Sequence, residues 1–211
     1  MSDPPAYPPP DPLDATLIEA TGNWAGVRWR GLRMWQNLFD LNVLAEHVLS
    51  SRPEVIVETG TFEGGSAVFL ADMMALAGLP PEVISIDLAP VATPPHPGVR
   101  YLTGASSTDP SVAATVTQLV GGRRACVILD SDHSADHVYH ELLLYAGLIH
   151  PGDVLLVEDG NMATTFGLPL TQTPLGGIRR FLAEDRRFRV VVGKSPFPTT
   201  SHVEGWLQRV E

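Results

Sequence analysis

The sequence predicts an α/β fold, a parallel sheet covered by helices on both faces. Short segments at 55–57, 125–129 and 154–157 are apolar throughout, and 83–86 is apolar but for Ser85, as expected of strands buried on both sides. Stretches with helical spacing separate them, the alternation that builds parallel βαβ units. The chain has 211 residues, 44% of them hydrophobic, enough for one core, and no internal repeat or second core is visible.

The elements follow in order. Residues 1–20 form a Pro-rich arm: Pro4, Pro5, Pro8, Pro9, Pro10 and Pro12 predict an extended, polyproline-like segment outside the fold. Residues 21–211 form the single domain. Its first stretch, 21–35, reads as irregular and holds Trp24, Trp29 and Trp35. Leu41, Leu44, Ala45, Val48 and Leu49 mark a helix that Pro53 ends. The strand at 55–57 runs into Glu58 and a Gly-rich turn, and a helix over 65–77, apolar almost all round, stops at Gly78 before Pro80 and Pro81. The strand at 83–86 ends on Asp87. A weaker strand at 99–102 precedes a helix over 111–120, and the strand at 125–129 ends on Asp130. A helix over 134–148 leads to Pro151-Gly152 and the strand at 154–157, which ends on Glu158-Asp159. A loop, a helix near 178–183 and strands at 188–192 and 203–210 complete the domain.

Composition excludes several functions. With 24 acidic against 14 basic residues the net charge is −10, which disfavours nucleic acid and anionic membranes. No apolar run reaches the roughly 18 residues of a membrane span, and residues 1–20 lack the pattern of a signal peptide; a cytoplasmic protein is expected. The lone Cys126 sits inside a predicted strand and reads as a core residue.

In an open parallel sheet, ligands bind beyond the carboxyl ends of the strands. Four strands here end on acids: Glu58, Asp87, Asp130 and Glu158-Asp159. Singly, each could cap a helix or join an ion pair. Together they describe a rim for a ligand bearing hydroxyls, positive charge or metal. The turn Glu58-Thr59-Gly60-Thr61-Phe62-Glu63-Gly64-Gly65-Ser66 lets the backbone approach a ligand and opens a helix whose free N–H groups suit an anion. Its glycine spacing does not fit the dinucleotide fingerprint. An acid ahead of the turn suits a cationic amine, as in S-adenosylmethionine, and Asp87 would then hold the ribose hydroxyls. Ser106 and Ser107 would lie beside the adenine, with Asp109 or Ser107 capping the next helix.

Asp130 and Glu158-Asp159 end neighbouring strands. Carboxylates converging without a lysine repel one another unless a cation such as Mg²⁺ lies between them. Asp132 reads as a cap for the helix near Ser134. His133, one turn from the acids, is the candidate general base. His137 and His140 read as surface residues.

These residues resemble the cephalosporin hydroxylase and rhamnosyl O-methyltransferase family of small Rossmann-like methyltransferases. The likeness is carried by Trp24-Ala25-Gly26 with Asp40, the run from Val57 through Gly60 to Gly64-Gly65-Ser66-Ala67, and Ile86-Asp87. It continues through His96-Pro97, Leu129 to His133, Glu141-Leu142 with Tyr145, and Val157-Glu158-Asp159. The resemblance implies a seven-stranded methyltransferase sheet of order 3-2-1-4-5-7-6. It implies an S-adenosylmethionine-dependent, Mg²⁺-activated O-methyltransferase, with a small-molecule hydroxyl as substrate, a deoxysugar such as rhamnose or another natural-product moiety. It further implies cofactor contacts at Glu58, Gly60, Gly64, Ser66, Asp87, Ser106 and Asp130. Metal ligands would be Asp130, Glu158 and Asp159, with Asn161 an alternative. Catechol-type O-methyltransferases, more distantly similar, carry a lysine base where this chain has His133. The shortness of the chain implies a lid from the Trp-rich segment, from residues 160–177 and from a partner in a homo-oligomer. The alternative readings are a hydroxylase of the same fold or a non-catalytic partner protein.

Overall fold

A computed structural model describes residues 12–90 and 95–211. The elements are α1 (Pro12–Thr21), β1 (Arg28–Trp29), β2 (Leu32–Arg33), α2 (Leu38–Ser51), β3 (Val55–Thr59), α3 (Gly65–Leu76), β4 (Val83–Asp87) and β5 (Val99–Thr103). They continue with α4 (Pro110–Val120), β6 (Ala125–Leu129), α5 (Ala135–Tyr145), β7 (Val154–Val157), α6 (Met162–Thr165), α7 (Pro174–Glu184), β8 (Phe188–Val190) and β9 (Trp206–Arg209). The seven-stranded sheet runs β5-β4-β3-β6-β7-β9-β8, which in order of appearance is the expected 3-2-1-4-5-7-6. β3 to β7 pair in parallel, and β9 lies antiparallel to both β7 and β8.

Alternation along each strand divides the core in two. Val55, Val57, Ile84, Ile86, Val127 and Leu129 pack beneath α4, α5 and α7. Ile56, Val83, Cys126, Ile128 and Leu156 pack beneath α2 and α3. Both faces are dry, which is why these strands read as continuous apolar runs. Cys126 is core: burial pushes its thiol up to about 12, leaving it unreactive at neutral pH.

Two expectations change at the N-terminus. Residues 1–11, and with them most of the proposed arm, lie outside the described residues. Residues 12–20, expected to be extended, belong to α1, where Pro12 occupies the first helical position that tolerates it. The Trp-rich stretch contains a short β1–β2 hairpin rather than being wholly irregular. It is fastened to α3 by Trp29 Nε1, which donates to Asp72 at 2.7 Å, and by the Trp29–Phe69 ring contact. The chain leaving the hairpin crosses the first turn of α3 so closely that a Cβ at Gly65 would sit 2.3 Å from the Arg33 carbonyl oxygen.

Gly60 ends β3 at φ +87°, and a Cβ there would lie 1.8 Å from the backbone oxygen of Asp130. Glycine therefore lets two strand ends close on each other, as well as permitting the left-handed turn. Gly60→Ala is expected to destabilise the fold by about 2 kcal/mol or more, read as a lowered urea midpoint at unchanged m-value. A midpoint equal to that of wild type contradicts this packing.

Candidate functional site

The carboxyl ends of β3, β4, β6 and β7 open into a cavity of about 750 Å³, within the usual range for small-molecule sites. Strand β4 and the loop after β5 supply Asp87, Ser106 and Ser107 to one end. The ends of β6 and β7 supply Asp130, His133, Glu158 and Asp159 to the middle. At the other end stand Trp24, Asn37, Asn161 and Ser201. Trp35 and Phe62 meet edge to face at 5.6 Å on the lining and are about half exposed. The Arg33 guanidinium covers the Phe62 ring and pairs with Glu63, tying the hairpin to the Gly-rich turn.

Asp130, His133 and Asp159 each offer a ligand atom, all within 4.8 Å of one another. His133 Nε2 lies 3.4 Å from Asp130 Oδ1 and 3.2 Å from Asp159 Oδ2, is buried, and forms no well-directed hydrogen bond. Asp159 adopts φ +53°, turning its carboxylate back toward β6. Glu158, expected as a third metal ligand, stands beside this group rather than within it. Its Oε2 accepts from Gln36 Nε2 at 2.6 Å, and the same nitrogen donates to Asp130 Oδ2 at 3.1 Å. Behind Glu158, at 3.5 Å, is His202 Nε2, whose other nitrogen faces Asp40 at 3.8 Å. Asp40 is held by the Thr200 hydroxyl and the Ser201 N–H.

The electrostatics follow from this crowding. Burial, and then the charge of Glu158, raise the Asp130 pKa well above the usual carboxylate range; burial likewise raises Asp159. Burial alone would lower His133, but Asp130 and Asp159 outweigh it and lift the imidazole to about 9. His202 behaves in the same way, its burial overcome by Glu158 and Asp40, and also reaches about 9. The cluster thus gathers protons wherever it lacks another cation. Its carboxylate oxygens, from Asp130 and Asp159 with Glu158 beside them, fit a hard divalent ion, and His133 stands next to them.

The candidate cofactor residues divide into two layers. Gly60, Asp87, Ser106 and Asp130 line the cavity. Asp87 accepts from the Phe62 and Ala89 N–H groups, which fix both of its oxygens in place. Glu58, Gly64 and Ser66 do not line it. Glu58 lies under the turn, taking hydrogen bonds from Ser85 at 2.6 Å and from Ser66; burial pushes its pKa up to about 7 despite them. Gly64 caps α3 in the left-handed conformation. Asp109 caps α4, and Ser134 caps α5 after an Asp132 turn.

His137 is not a surface residue, as expected from its helix, although His140 is exposed. It lines the cavity and bonds Ser107 at 3.1 Å and Ser131 at 3.0 Å, while Ser131 donates to the buried Glu141. Gln36 and His202 had no sequence signal, because they stand in irregular segments far along the chain from the acids they meet, and Asn37, which caps α2, was passed over.

A mostly parallel sheet of this order with an acid-lined cavity at its carboxyl edge defines a Rossmann-like protein with a small-molecule site. Residues 21–210 match the model of the family described as Rhamnosyl O-methyltransferase/CmcI, and the chain belongs to that family. A rhamnosyl O-methyltransferase of Mycobacterium bovis (strain BCG / Pasteur 1173P2) is 34% identical over 145 residues, covering 66% of this chain and 59% of the relative. One from Mycobacterium leprae is 31% identical over 144 residues, covering 66% and 62%. The chain therefore matches about three-fifths of the length of these relatives. A CmcI structure described as an Mg-SAM form superposes with TM-score 0.69 at 21% identity, covering 100% of this chain and 88% of that one. A MycE methyltransferase structure with Mg and SAH gives 0.56 at 16% identity, covering 96% and 54%. Among the described residues, no helix is long and apolar enough to cross a membrane.

The shifted groups at this edge share one sign. Glu58, Asp130, Asp159, His133 and His202 all hold protons more tightly folded than unfolded, so each withdraws stability as pH rises. Buried His47, whose pKa burial lowers to about 4, acts the other way between about 4 and 6.5. Glu58 acts between its unfolded value near 4.5 and about 7, and the histidines act between 6.5 and about 9. Urea midpoints of the metal-free protein should drop from pH 6.5, above which His47 is neutral in both states, to pH 9. Glu58→Gln should lose less stability than wild type between pH 5 and pH 7, by on the order of 3 kcal/mol. A midpoint that rises with pH across this window contradicts the assignment.

Proposed function

We propose that the chain is an S-adenosylmethionine-dependent, Mg²⁺-activated O-methyltransferase for a hydroxyl of a small molecule, a deoxysugar such as rhamnose or a related natural-product moiety. The observation that carries this reading is the meeting of Asp130, His133 and Asp159 in the middle of a cavity with Asp87 at one end and amide side chains at the other. The names of the curated relatives, and the Mg and SAM or SAH of the similar structures, support it.

In this reading S-adenosylmethionine supplies an electrophilic methyl group, and Mg²⁺ supplies a Lewis acid that orients the acceptor hydroxyl and lowers its pKa. Asp87 accepts hydrogen bonds from the ribose hydroxyls, and Ser106 with Ser107 borders the adenine. Gly60 and the Asp130 backbone form the floor between them. Glu58, Gly64 and Ser66 act from beneath, holding the turn in shape. Asp130 and Asp159 would hold the ion, with Glu158 beside them, and its charge would offset theirs. His133 Nε2, 3.4 Å from Asp130 and 3.2 Å from Asp159, would be the base that takes the hydroxyl proton. Alignment of the hydroxyl with the methyl group supplies most of the rate, since a single in-line displacement leaves the protein little other chemistry to perform. A cytoplasmic, homo-oligomeric protein completes the reading; the exposed apolar side chains of Trp35, Phe62 and Phe166 around the cavity support an oligomer.

Titration with S-adenosylmethionine, and turnover of a rhamnose glycoside with and without EDTA, test the proposal. Wild type should bind the cofactor and lose turnover in EDTA, and Asp130→Ala should lose turnover even with Mg²⁺ present. His133→Ala should keep its cofactor affinity within about threefold and lose 10²–10⁴ in kcat, roughly the contribution of a positioned base. No binding at millimolar cofactor refutes the methyltransferase reading. Turnover indifferent to EDTA refutes the metal, and equal loss of affinity and rate in His133→Ala makes that residue structural.

A further inference from the structure

Gln36 bridges the two strands that carry the central acids, yet nothing in the reaction proposed above uses it. A single atom of its amide meets Glu158 Oε2 at 2.6 Å and Asp130 Oδ2 at 3.1 Å. That atom is the nitrogen, because carboxylates accept and the NH₂ end alone has two hydrogens to give. The residue is 4% exposed and lines the cavity. Buried polar groups satisfied in this way rigidify what they join.

Two observations say what the bridge does. Asp130 divides its oxygens: Oδ2 takes the amide, while Oδ1 faces His133 at 3.4 Å. Gln36 thus holds the oxygen turned away from the Asp130–His133–Asp159 group and leaves the other to that group. Glu158, on the neighbouring strand, is held through Oε2, the oxygen that also faces His202. The backbone beside Gln36 is bent to the same end. Trp35 adopts φ +49°, a conformation that bulky side chains rarely take and that persists only where the surroundings impose it. Trp35 is about half exposed, whereas Met34, Gln36 and Asn37 around it are buried. The strained turn therefore sends the indole out and the glutamine in. We propose that Gln36 is a positioning residue for the metal carboxylates, donating to Asp130 and Glu158 so that Asp130 Oδ1 is presented to a divalent ion. This rests on the metal of the proposed function and adds to it a residue outside the ligand set.

The test compares Gln36→Met and Gln36→Ala with wild type in the full chain. Methionine fills the space of glutamine without a donor, whereas alanine opens room for water, which can donate in place of the amide. The probes are Mg²⁺ alone and S-adenosylhomocysteine alone, each titrated by calorimetry, so that neither readout needs turnover. Gln36→Met should bind Mg²⁺ roughly tenfold more weakly than wild type, the scale of a lost partner to a metal ligand. Gln36→Ala should lose less, and both variants should keep the wild-type Kd for S-adenosylhomocysteine. An unchanged Mg²⁺ Kd in Gln36→Met overturns the role. Tighter Mg²⁺ binding there overturns it too, by making the amide a competitor of the ion. A loss in Gln36→Ala as large as in Gln36→Met reduces the residue to packing, and a parallel loss of S-adenosylhomocysteine binding reduces it to general stability; either overturns the inference. If wild type binds S-adenosylhomocysteine but no Mg²⁺ at millimolar ion, the metal falls and this inference with it. If it binds neither, the methyltransferase reading itself falls.

Discussion

Asp130 and the Glu158-Asp159 pair, carried by two neighbouring parallel strands, are forced to within a few ångströms of each other at the edge of the sheet. Parallel pairing of β6 with β7 leaves their ends no other place to go. Like charges at that distance must be relieved by protons, by hydrogen-bond donors or by a cation. The chain supplies the first two: His133 and His202 raised to about 9, and a single Gln36 nitrogen shared between Asp130 and Glu158. His133 lacks a well-formed hydrogen bond in the arrangement. Under the proposed function, protons at this site would exchange against metal.

Much of the surrounding structure serves that edge. The Trp-rich segment is pinned to α3 through Trp29 and Asp72, and so delivers Gln36 onto the carboxylates and Asn37 into the cavity wall. The segment before β9 returns His202 and Ser201 to the same place, through Asp40 of α2. Two remote pieces of chain thus close one end of the cavity, while the regular βα loops build the other. A division of this kind fits a fixed cofactor end and a variable acceptor end, because irregular segments change without disturbing the sheet.

The acids of the rim were legible in the sequence because each follows an unbroken apolar strand. Their directions were only partly so. Glu58 shares a face of β3 with Ile56, which packs under α2 and α3, so alternation sends its carboxylate beneath the turn to Ser66 and Ser85 rather than over the edge. Counting parity would have found this. Gly60 looked like a ligand-facing glycine, and the Asp130 carbonyl gives it a second reason to lack a side chain. His137 was misplaced because the helix face was drawn from Val138, Leu142 and Tyr145 alone, whereas Ser107, Ser131 and Glu141 form a polar neighbourhood from three elements. Gln36 and His202 were beyond reach: nothing periodic marks them, and the acids they meet lie many residues away, whereas Asn37 carried the signal of a helix cap before α2.

Calorimetric titration of Mg²⁺ at pH 7 into the full chain, repeated in buffers of different ionisation enthalpy, counts the protons exchanged on binding. If the carboxylates are held together by protons that a cation replaces, binding should release about one proton or more, and the count should differ from wild type in His133→Gln. Mg²⁺ binding with no proton released, or no binding at millimolar ion, contradicts the account.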